Sequence, residues 1–473
     1  MRFIYLLLIG VILSGCVSSQ SKITVHPDTL HFEPLEFTFP PVEKVEMVNG
    51  IKLYLREDHE LPLVELTMLI EGGSIFDANS KSGLSQFFAE VMETGGAGDL
   101  DAAALEVELE AMAADLTVYS SSYGYSINLS LNREDLDRGF EILSKLVRSP
   151  RFDNDRIELV RKQMIESIRR KNDDPGSIAG RILGGAVNPN HPFGTFPSVQ
   201  AVEQFSREDL EQLHQRYFAP QNCWLAVSGD VDKGEIITLL RRQFDDWQPV
   251  IASLPSLPPL PAVGAEKIFL ATKKIPQTTI LMGHQGVSKD NPDVPALRVA
   301  NYILGGGGFN SRLMREIRSN RGLAYSAYSY FQVGRELPEL FMASTETKTA
   351  STVQVVTLMQ QLIEQIRNEP VTQAELELAQ KSLINSFVFA FTDTHSVVSR
   401  KMRLDYYVYP QGYLENYRQL IQAVTIADVQ RVAQKYLHPD QLQIVLVGDS
   451  DQYREDILKL GLPVQEVDLN KGE

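Results

Sequence analysis

The chain has 473 residues and a formal net charge of −16, from 45 Lys and Arg residues against 61 Asp and Glu residues. This length exceeds the size at which a single hydrophobic core usually divides, so we expect two domains or more. The acidic balance, without a concentrated basic run, argues against nucleic-acid binding.

The N-terminus has the pattern of an export signal. Arg2 precedes an apolar stretch from Phe3 to Leu13, and small residues follow before Cys16. The stretch is shorter than the roughly 20 apolar residues that span a bilayer, so residues 1–16 are interpreted as a targeting segment. Its end resembles the lipobox of bacterial lipoproteins, which implies a lipidated Cys16. An ordinary cleaved signal is the alternative.

The residues after Cys16 bear on location and on disulfides. Val17 and Ser18 lack the aspartate that often retains lipoproteins at the inner membrane, so we expect the periplasmic face of the outer membrane. Residues 17–39 would form a tether. Cys223, the second of two cysteines, lies in an apolar run and is expected to be buried, without a disulfide.

The first half mixes strand and helix patterns without strict alternation. Strands are predicted near Lys52 to Arg56 and Leu63 to Glu71, with a strand pair from about Thr117 to Leu131 that turns at Gly124. Helices are predicted at Gly83 to Glu93, Ala102 to Ala113, Glu134 to Val147 and Asp155 to Lys171. This mixture predicts an α+β fold, with a mostly antiparallel sheet and helices on one face.

The helix from Gly83 to Glu93 is amphipathic. Gln86, Glu90 and Glu93 share one stripe by their spacing, opposite an apolar face. A half-buried helix with one solvated side is the simplest interpretation.

The context of this helix resembles a known family. Glu71 to Ser74, followed by Gly83 to Glu90, resembles the opening of the pitrilysin/insulinase family of zinc metallopeptidases. There the helix carries H-x-x-E-H, in which two histidines bind zinc and the glutamate activates water. Gln86, Ala89 and Glu90 stand at these three positions, so the resemblance implies a degenerate metal site.

Glu166, 76 positions after Glu90, matches the third zinc ligand of the family, although a plain surface glutamate would look the same. With Gln86 and Glu90 it would offer one amide and two carboxylates, a set that suits a weakly held hard cation better than zinc. Ala89 has no group that accepts a proton. We therefore expect this chain to bind no zinc and to cleave no peptide by the family mechanism. His191 is interpreted as a turn residue.

A proline-dense stretch, residues 249–263, divides the mature chain almost in half and is predicted to be a linker. It separates predicted domains at residues 40–248 and 264–465. The two halves end alike, because Pro220 and Pro439 each precede an apolar strand that ends in glycine nine positions later. Helix starts at Ser206 and Thr425 share the same offset of 219 positions, which indicates an internal duplication.

The second half contains four consecutive glycines, Gly305, Gly306, Gly307 and Gly308. The phosphate-loop pattern fails because no Gly-Lys-Ser/Thr follows. In the same peptidase family this run resembles the glycine-rich loop of the C-terminal domain, which is followed by an arginine and tyrosine pair seven positions apart. Arg318 and Tyr325 match that pair.

The resemblance implies a role for these residues. In the family, the arginine and tyrosine hold the substrate backbone and stabilise the oxyanion over zinc held by the other domain, and the glycines allow close approach of an extended peptide. A surface arginine and a strand tyrosine are the alternative interpretation of Arg318 and Tyr325.

The resemblance extends from about Pro40 to about Gly461 and implies two homologous insulinase-type domains. Some members are two-chain enzymes in which one subunit holds zinc and the other supplies the glycine-rich loop and the pair. We therefore expect a non-catalytic, substrate-binding subunit of a periplasmic heterodimeric zinc peptidase, with zinc in the partner. The alternatives are a stand-alone envelope binding or assembly scaffold, and a weak metallohydrolase that uses Gln86, Glu90 and Glu166.

Overall fold

The computed structural model describes residues 38–249 and 254–469. The predicted signal segment, the lipidation site Cys16 and most of the predicted tether lie outside these residues, as do residues 250–253 of the predicted linker. Residues 39–469 of the described chain belong to one compact unit. No helix in this part of the chain is long and apolar enough to cross a membrane.

Two six-stranded sheets form the framework, one in each half. The strands are β1 (Glu43–Glu46), β2 (Lys52–Glu57), β3 (Leu63–Glu71), β4 (Asp115–Ser120), β5 (Gly124–Asn132), β6 (Cys223–Gly229), β7 (Lys267–Thr272), β8 (Gln277–Gln285), β9 (Val287–Ser288), β10 (Ala324–Phe331), β11 (Val333–Gly334), β12 (Leu340–Lys348), β13 (Gln443–Gly448) and β14 (Val464–Val467). The first sheet has the order β1-β2-β6-β3-β5-β4 and the second β10-β12-β8-β13-β7-β14. The small strands β9 and β11 pair separately.

The sheets are mostly antiparallel, as predicted. In the first sheet only β2 and β6 run parallel. In the second sheet β7 is parallel to both β13 and β14, whereas the other pairs are antiparallel. The strands predicted near Lys52 and at Leu63 to Glu71 are confirmed, and Gly124 begins the second strand of the predicted pair.

The helices follow the predicted pattern in the first half to within about two residues. They are α1 (Leu84–Thr94), α2 (Ala102–Ala111), α3 (Leu136–Arg148), α4 (Asn154–Arg169), α5 (Pro175–Val187), α6 (Val199–Glu203), α7 (Arg207–Tyr217), α8 (Lys233–Phe244), α9 (Val294–Asn301), α10 (Arg312–Met314), α11 (Thr352–Asn368), α12 (Gln373–Val388), α13 (Thr394–Tyr406), α14 (Tyr413–Gln422), α15 (Ile426–Tyr436) and α16 (Arg454–Leu458). Two π-helical turns, Tyr302–Gly306 and Arg315–Asn320, flank α10.

The predicted duplication is visible in the helices. The bounds of α4 and α12, of α5 and α13, and of α7 and α15 each differ by 219 positions. Both α7 and α15 begin with a complete capping box, formed by Ser206 with Asp209 and by Thr425 with Asp428. Local capping chemistry therefore starts the equivalent helix at the equivalent position in both halves.

Each sheet packs its own helices on one face. In β3 the side chains of Val64, Leu66, Met68 and Ile70 point to the core shared with α1, α3 and α4. Alternate residues of a strand point to opposite faces, and Thr67 and Leu69 on the other face of β3 are buried as well. Something else must therefore cover the second face.

The second face of each sheet is covered by a helix from the other half. Helix α13 packs on the first sheet, where Val398 and Met402 contact the group that contains Leu69 and Ala226. Helix α5 packs on β8 and β13 of the second sheet, through Ile178 and other apolar residues. Because α5 and α13 are equivalent under the 219-residue shift, the exchange is reciprocal.

A half-buried histidine adds a polar link to this exchange. His395, at the start of α13, forms hydrogen bonds with Thr67 of β3 and Ser228 of β6, each at 2.8 Å. Hydrogen bonds among buried groups fix one geometry more strictly than apolar packing does. The polar contacts thus define how α13 lies on the first sheet.

Candidate functional site

Helix α1 places the predicted metal-site positions. It begins after Gly83, whose φ of +90° lies in the left-handed region that favours glycine. Asp77 stabilises this helix start, because its carboxylate accepts hydrogen bonds from the Ser85 backbone N–H at 3.1 Å and from Ser85 Oγ at 2.6 Å. Burial raises the pKa of Asp77 to about 6 although these hydrogen bonds oppose the shift.

The three degenerate positions do not form a ligand set. Gln86 is exposed, and its Nε2 donates a hydrogen bond to Oε1 of Glu90 at 2.9 Å. Ala89 is 1 % exposed and belongs to the core of the first half. Gln86 and Glu90 thus bond to each other, and no proton acceptor stands at Ala89.

Glu166 lies in a different environment from Gln86. On α4 it accepts a hydrogen bond from Arg169 at 2.6 Å, one helical turn away. It lines a cavity of about 810 Å³ whose wall includes neither Gln86 nor Glu90. Gln86 lines another cavity, of about 410 Å³, together with Asp77.

Zinc does not fit this arrangement. Catalytic zinc sites use three nitrogen, sulfur or carboxylate ligands with an open position for water. Here the candidate ligands are the Gln86 amide, which forms a hydrogen bond with the Glu90 carboxylate, and the Glu166 carboxylate, which forms an ion pair with an arginine. Within residues 38–249 and 254–469, no group of three His, Cys, Asp or Glu side chains could hold a metal ion.

His191 has the role predicted for it. It lies directly before the short 3₁₀ turn Pro192–Gly194, and its Nδ1 accepts a hydrogen bond from the Phe193 N–H at 3.1 Å. Burial lowers the pKa of this imidazole. The neutral ring therefore acts as a turn cap.

The glycine-rich segment packs tightly against its own chain. A Cβ on Gly305 would lie 2.2 Å from the backbone nitrogen of Ser329 on β10, and one on Gly306 would lie 2.7 Å from Asn301. Gly307 is similarly close to the ring of Tyr302. At Gly308 the space is open and φ is +56°. The first three glycines therefore exclude a Cβ, whereas Gly306 and Gly308 are the two that are exposed.

Arg318 and Tyr325 are brought together. The Arg318 guanidinium carbon lies 4.5 Å from the centre of the Tyr325 ring and 4.6 Å from the centre of the Phe309 ring. Both rings are exposed, Tyr325 to 81 % and Phe309 to 63 %. A guanidinium between two rings is held by cation–π attraction.

Sequence reasoning missed Phe309. An aromatic residue directly after a glycine run, close to a cationic side chain, is the signal that could have identified it. No carboxylate in the described ranges lies within ion-pair distance of Arg318. The N–H groups of this half-buried guanidinium are therefore suited to donate to a carbonyl oxygen or an oxyanion.

The position of the pair favours contact with an external chain. Tyr325 lies on β10, an edge strand of the second sheet, which within the described residues pairs with β12 alone. Tyr328 and Tyr330 on the same strand are also about half exposed. An edge strand presents unpaired backbone groups to which an extended chain can add.

Two family descriptions match the chain. Residues 52–187 match the family described as insulinase, peptidase family M16, and residues 204–383 match the one described as the peptidase M16 inactive domain. Together these segments cover more than half of the 473 residues.

Relatives and solved structures agree with these matches. An uncharacterized zinc protease from Mycobacterium leprae is 27% identical over 70% of this chain and 75% of its own length. A non-peptidase homolog from Helicobacter pylori is 23% identical over 84% of this chain and 92% of its own length. The crystal structure of a peptidase M16 inactive domain from Pseudomonas fluorescens matches 86% of this chain and 98% of its own, at 24% identity and a TM-score of 0.78.

Proposed function

The chain belongs to the insulinase family, peptidase family M16, and we propose that it is the substrate-binding subunit of a periplasmic two-chain zinc peptidase. Within the family it is a non-catalytic member. In the proposal a homologous partner holds the zinc, and this chain supplies the glycine-rich loop, Arg318 and Tyr325 to the partner's active site.

The observation that carries the proposal is the contrast between two sites in one chain. The metal side is dismantled, because Gln86 bonds to Glu90 and Ala89 is buried. The residues that we assign to substrate binding are together, because Arg318 lies over the exposed Tyr325 ring. This contrast supports a chain that completes the active site of another subunit.

The chemistry of Arg318 supports this assignment. Stacking between two rings fixes the plane of the guanidinium, and preorganised donors stabilise developing negative charge more than mobile ones do. The extended substrate would run along the β10 edge, close to Tyr325. This chain would thus orient the peptide while the partner supplies the metal and its activated water.

The proposed location follows from the first 16 residues, which the structure does not describe. Lipidation at Cys16 would hold the protein on the periplasmic side, with the outer membrane favoured. Mass spectrometry of the mature N-terminus, together with fractionation of a Cys16→Ser variant, tests this location. A wild-type protein without a lipid at Cys16 would contradict it.

Coexpression tests the function. We would coexpress this chain with an H-x-x-E-H homologue from a neighbouring reading frame and measure hydrolysis of a peptide library. We expect hydrolysis by the pair that neither chain shows alone. The Arg318→Ala, Tyr325→Ala double variant is expected to lower kcat/KM of the pair by about 100-fold or more.

The chain offers a matched control for the arginine. Arg321 is exposed, lies three positions after Arg318, and forms an ion pair with Glu316. The Arg321→Ala variant is expected to retain activity within about threefold. Full activity of the pair with the Arg318 and Tyr325 variant would contradict the proposal. Failure to copurify any zinc-binding homologue would favour the stand-alone scaffold instead.

A further inference from the structure

A cavity of about 530 Å³ lies behind the glycine-rich segment. Asn301, Tyr302 and Gly306 form part of its wall, and Tyr123 of the first half forms another part. Its volume falls within the range of roughly 300–1,000 Å³ that is typical of small-molecule sites. Apart from Gly306 and Tyr330, the residues of its wall have no part in the proposed function.

The cavity wall contains a cation without a counter-ion. Arg298, on α9, lines the cavity, and its guanidinium carbon lies 5.5 Å from the centre of the Tyr417 ring. In the described part of the chain no carboxylate oxygen lies within 4.0 Å of its nitrogens. Its nearest partners are the phenols of Tyr409, Tyr413 and Tyr417. Burial raises the pKa of Tyr409 and Tyr413, so at pH 7 these phenols supply dipoles but no negative charge.

A second guanidinium increases the positive charge near the cavity. Burial and, after it, the charge of Arg298 lower the pKa of Arg400. Arg400 lies 5.1 Å from the centre of the Phe391 ring, and among the described residues no carboxylate pairs with it. By contrast, Arg335 in the same cavity wall is balanced by Glu71 at 2.8 Å. The positive charge of Arg298 and Arg400 is thus unbalanced by the protein itself.

Such a charge favours an anionic ligand. A partly buried cation is costly unless it is paired, and the planar fork of a guanidinium matches the two oxygens of a carboxylate. The rest of the wall is largely apolar or aromatic and includes Leu297, Phe331, Val333 and Leu383. These side chains suit the hydrophobic body of a ligand.

We propose that this cavity binds a carboxylate carried on an aromatic or aliphatic body, with the Arg298 guanidinium as the anchor of the carboxylate. The C-terminus of a peptide and a free aromatic acid share this chemistry. The one carboxyl group in the wall belongs to Glu339, and burial raises its pKa to about 7. At neutral pH it is partly protonated and opposes an anionic ligand less than an ordinary carboxylate would.

Calorimetric titration of the purified chain tests the proposal. The probes are N-acetyl-phenylalanine and its amide, which differ only in the charged group. We expect the acid to bind and the amide to bind about tenfold more weakly or worse. A tetrapeptide with a free C-terminal phenylalanine that binds as well as the acid identifies a peptide end as the source. Binding of the small acid alone identifies a free acid.

Three variants complete the test. Arg298→Gln is expected to weaken binding of the acid about tenfold or more, whereas Arg454→Gln, which breaks an ion pair with Glu466 outside the cavity, is expected to leave it unchanged. Leu383→Trp narrows the cavity from α12 without removing the charge and is also expected to weaken binding. If Arg298→Gln does not fold, the Leu383→Trp variant and the comparison of the acid with the amide still test the proposal.

Equal affinity for acid and amide, no binding at millimolar acid, or unchanged binding in Leu383→Trp would overturn the proposal. If Arg298 only stabilises the packing of the neighbouring tyrosines, the acid will not bind even at millimolar concentration. The titration uses this chain alone, without a peptidase partner. Its failure would therefore leave the proposed function untouched, and failure of the coexpression experiment would leave this site untouched.

Discussion

Arg318 is oriented by aromatic rings on the surface of the protein. Cation–π attraction to Phe309 and Tyr325 fixes the plane of the guanidinium without consuming its donors in an ion pair. A lysine at this position would keep the charge but lose both the plane and the fork of donors. At the scale of the residue, geometry therefore matters more than charge.

This difference yields a first prediction. Arg318→Lys is expected to lower kcat/KM of the coexpressed pair by about tenfold or more, although the net charge is unchanged. Arg321→Lys is the matched control and is expected to have little effect. Peptide hydrolysis at several substrate concentrations measures both. Equal activity of Arg318→Lys and wild type would show that charge alone is sufficient.

A second prediction concerns His284, whose neutral form is built into the second half. Its Nδ1 lies 2.7 Å from the Gln285 carbonyl oxygen, and its Nε2 accepts a hydrogen bond from the His438 N–H at 3.1 Å. Protonation at Nε2 would abolish that acceptor. Burial lowers the pKa of His284 to about 4, below its ordinary value of 6.5.

The sign of the pH dependence follows from this shift. Between pH 6.5 and pH 4 the unfolded chain binds a proton at this histidine that the folded chain does not bind. The free energy of unfolding therefore decreases as the pH falls through this window, by up to about 3 kcal/mol. Urea unfolding of wild type and of the His284→Gln variant, each at pH 7.5 and pH 5, measures this change in the free energy of unfolding. An equal pH effect in both proteins would contradict the prediction.

At the scale of elements, the glycines differ in what surrounds them. Gly180, in the middle of α5, is exposed, and a Cβ added there would meet nothing within 4 Å beyond the helix itself. Gly305 instead abuts the backbone of β10. A Cβ is therefore tolerated at Gly180 and excluded at Gly305.

These surroundings give a third prediction. Gly180→Ala is expected to increase the free energy of unfolding by about 0.5–1 kcal/mol, because alanine loses less backbone entropy in a helix. Gly305→Ala is expected to decrease it by about 1–3 kcal/mol or more, because β10 must shift. Thermal and urea unfolding test both variants. A neutral Gly305→Ala would show that the turn and the strand separate easily.

Sequence patterns predicted the elements well where local chemistry decides. The helix starts at Ser206 and Thr425 could be identified because a capping box lies within four residues. Asp77 was missed because it stabilises the start of α1 from eight positions before Ser85, outside any helical spacing. The ion pair between Glu166 and Arg169 was missed as well, because several basic side chains near an exposed carboxylate could pair with it.

The exchange of α5 and α13 could not be predicted from the sequence. The 219-residue shift shows that the two helices are equivalent but does not show on which sheet each packs. Both sheets bury two faces, and an apolar helix face fits either of them. Whether each helix packs on the sheet of its own half or on the sheet of the other half is decided only by the three-dimensional path of the chain.

At the scale of the whole molecule, this exchange makes the halves interdependent. Residues 38–249 alone would expose the face of the first sheet that α13 covers, including Leu69 and Tyr54. An exposed apolar sheet face of this kind promotes association. Each half therefore lacks part of its own core until the other is present.

A fourth prediction tests this dependence. Residues 38–249 produced alone are expected to bind a hydrophobic dye and to aggregate, whereas coexpression with residues 254–469 is expected to yield a soluble, copurifying complex. Gel filtration and dye fluorescence measure the outcome. Val398→Asp, on α13, is expected to weaken the complex by about 2 kcal/mol or more, because it buries an unpaired carboxylate against the first sheet. A monomeric, dye-silent first half would contradict the prediction.

The reciprocal exchange also has a consequence in time, during synthesis. Helix α8 ends at Phe244, and α13 ends roughly 160 residues later. At ribosomal rates of about 5–20 residues per second, roughly 10 to 30 s pass before the helix that covers the first sheet has been made. On whichever side of the membrane the chain folds, the first half emerges with an open apolar face before α13 follows it, and α5 emerges before the sheet that it covers. Folding of either half can finish only after most of the chain has emerged.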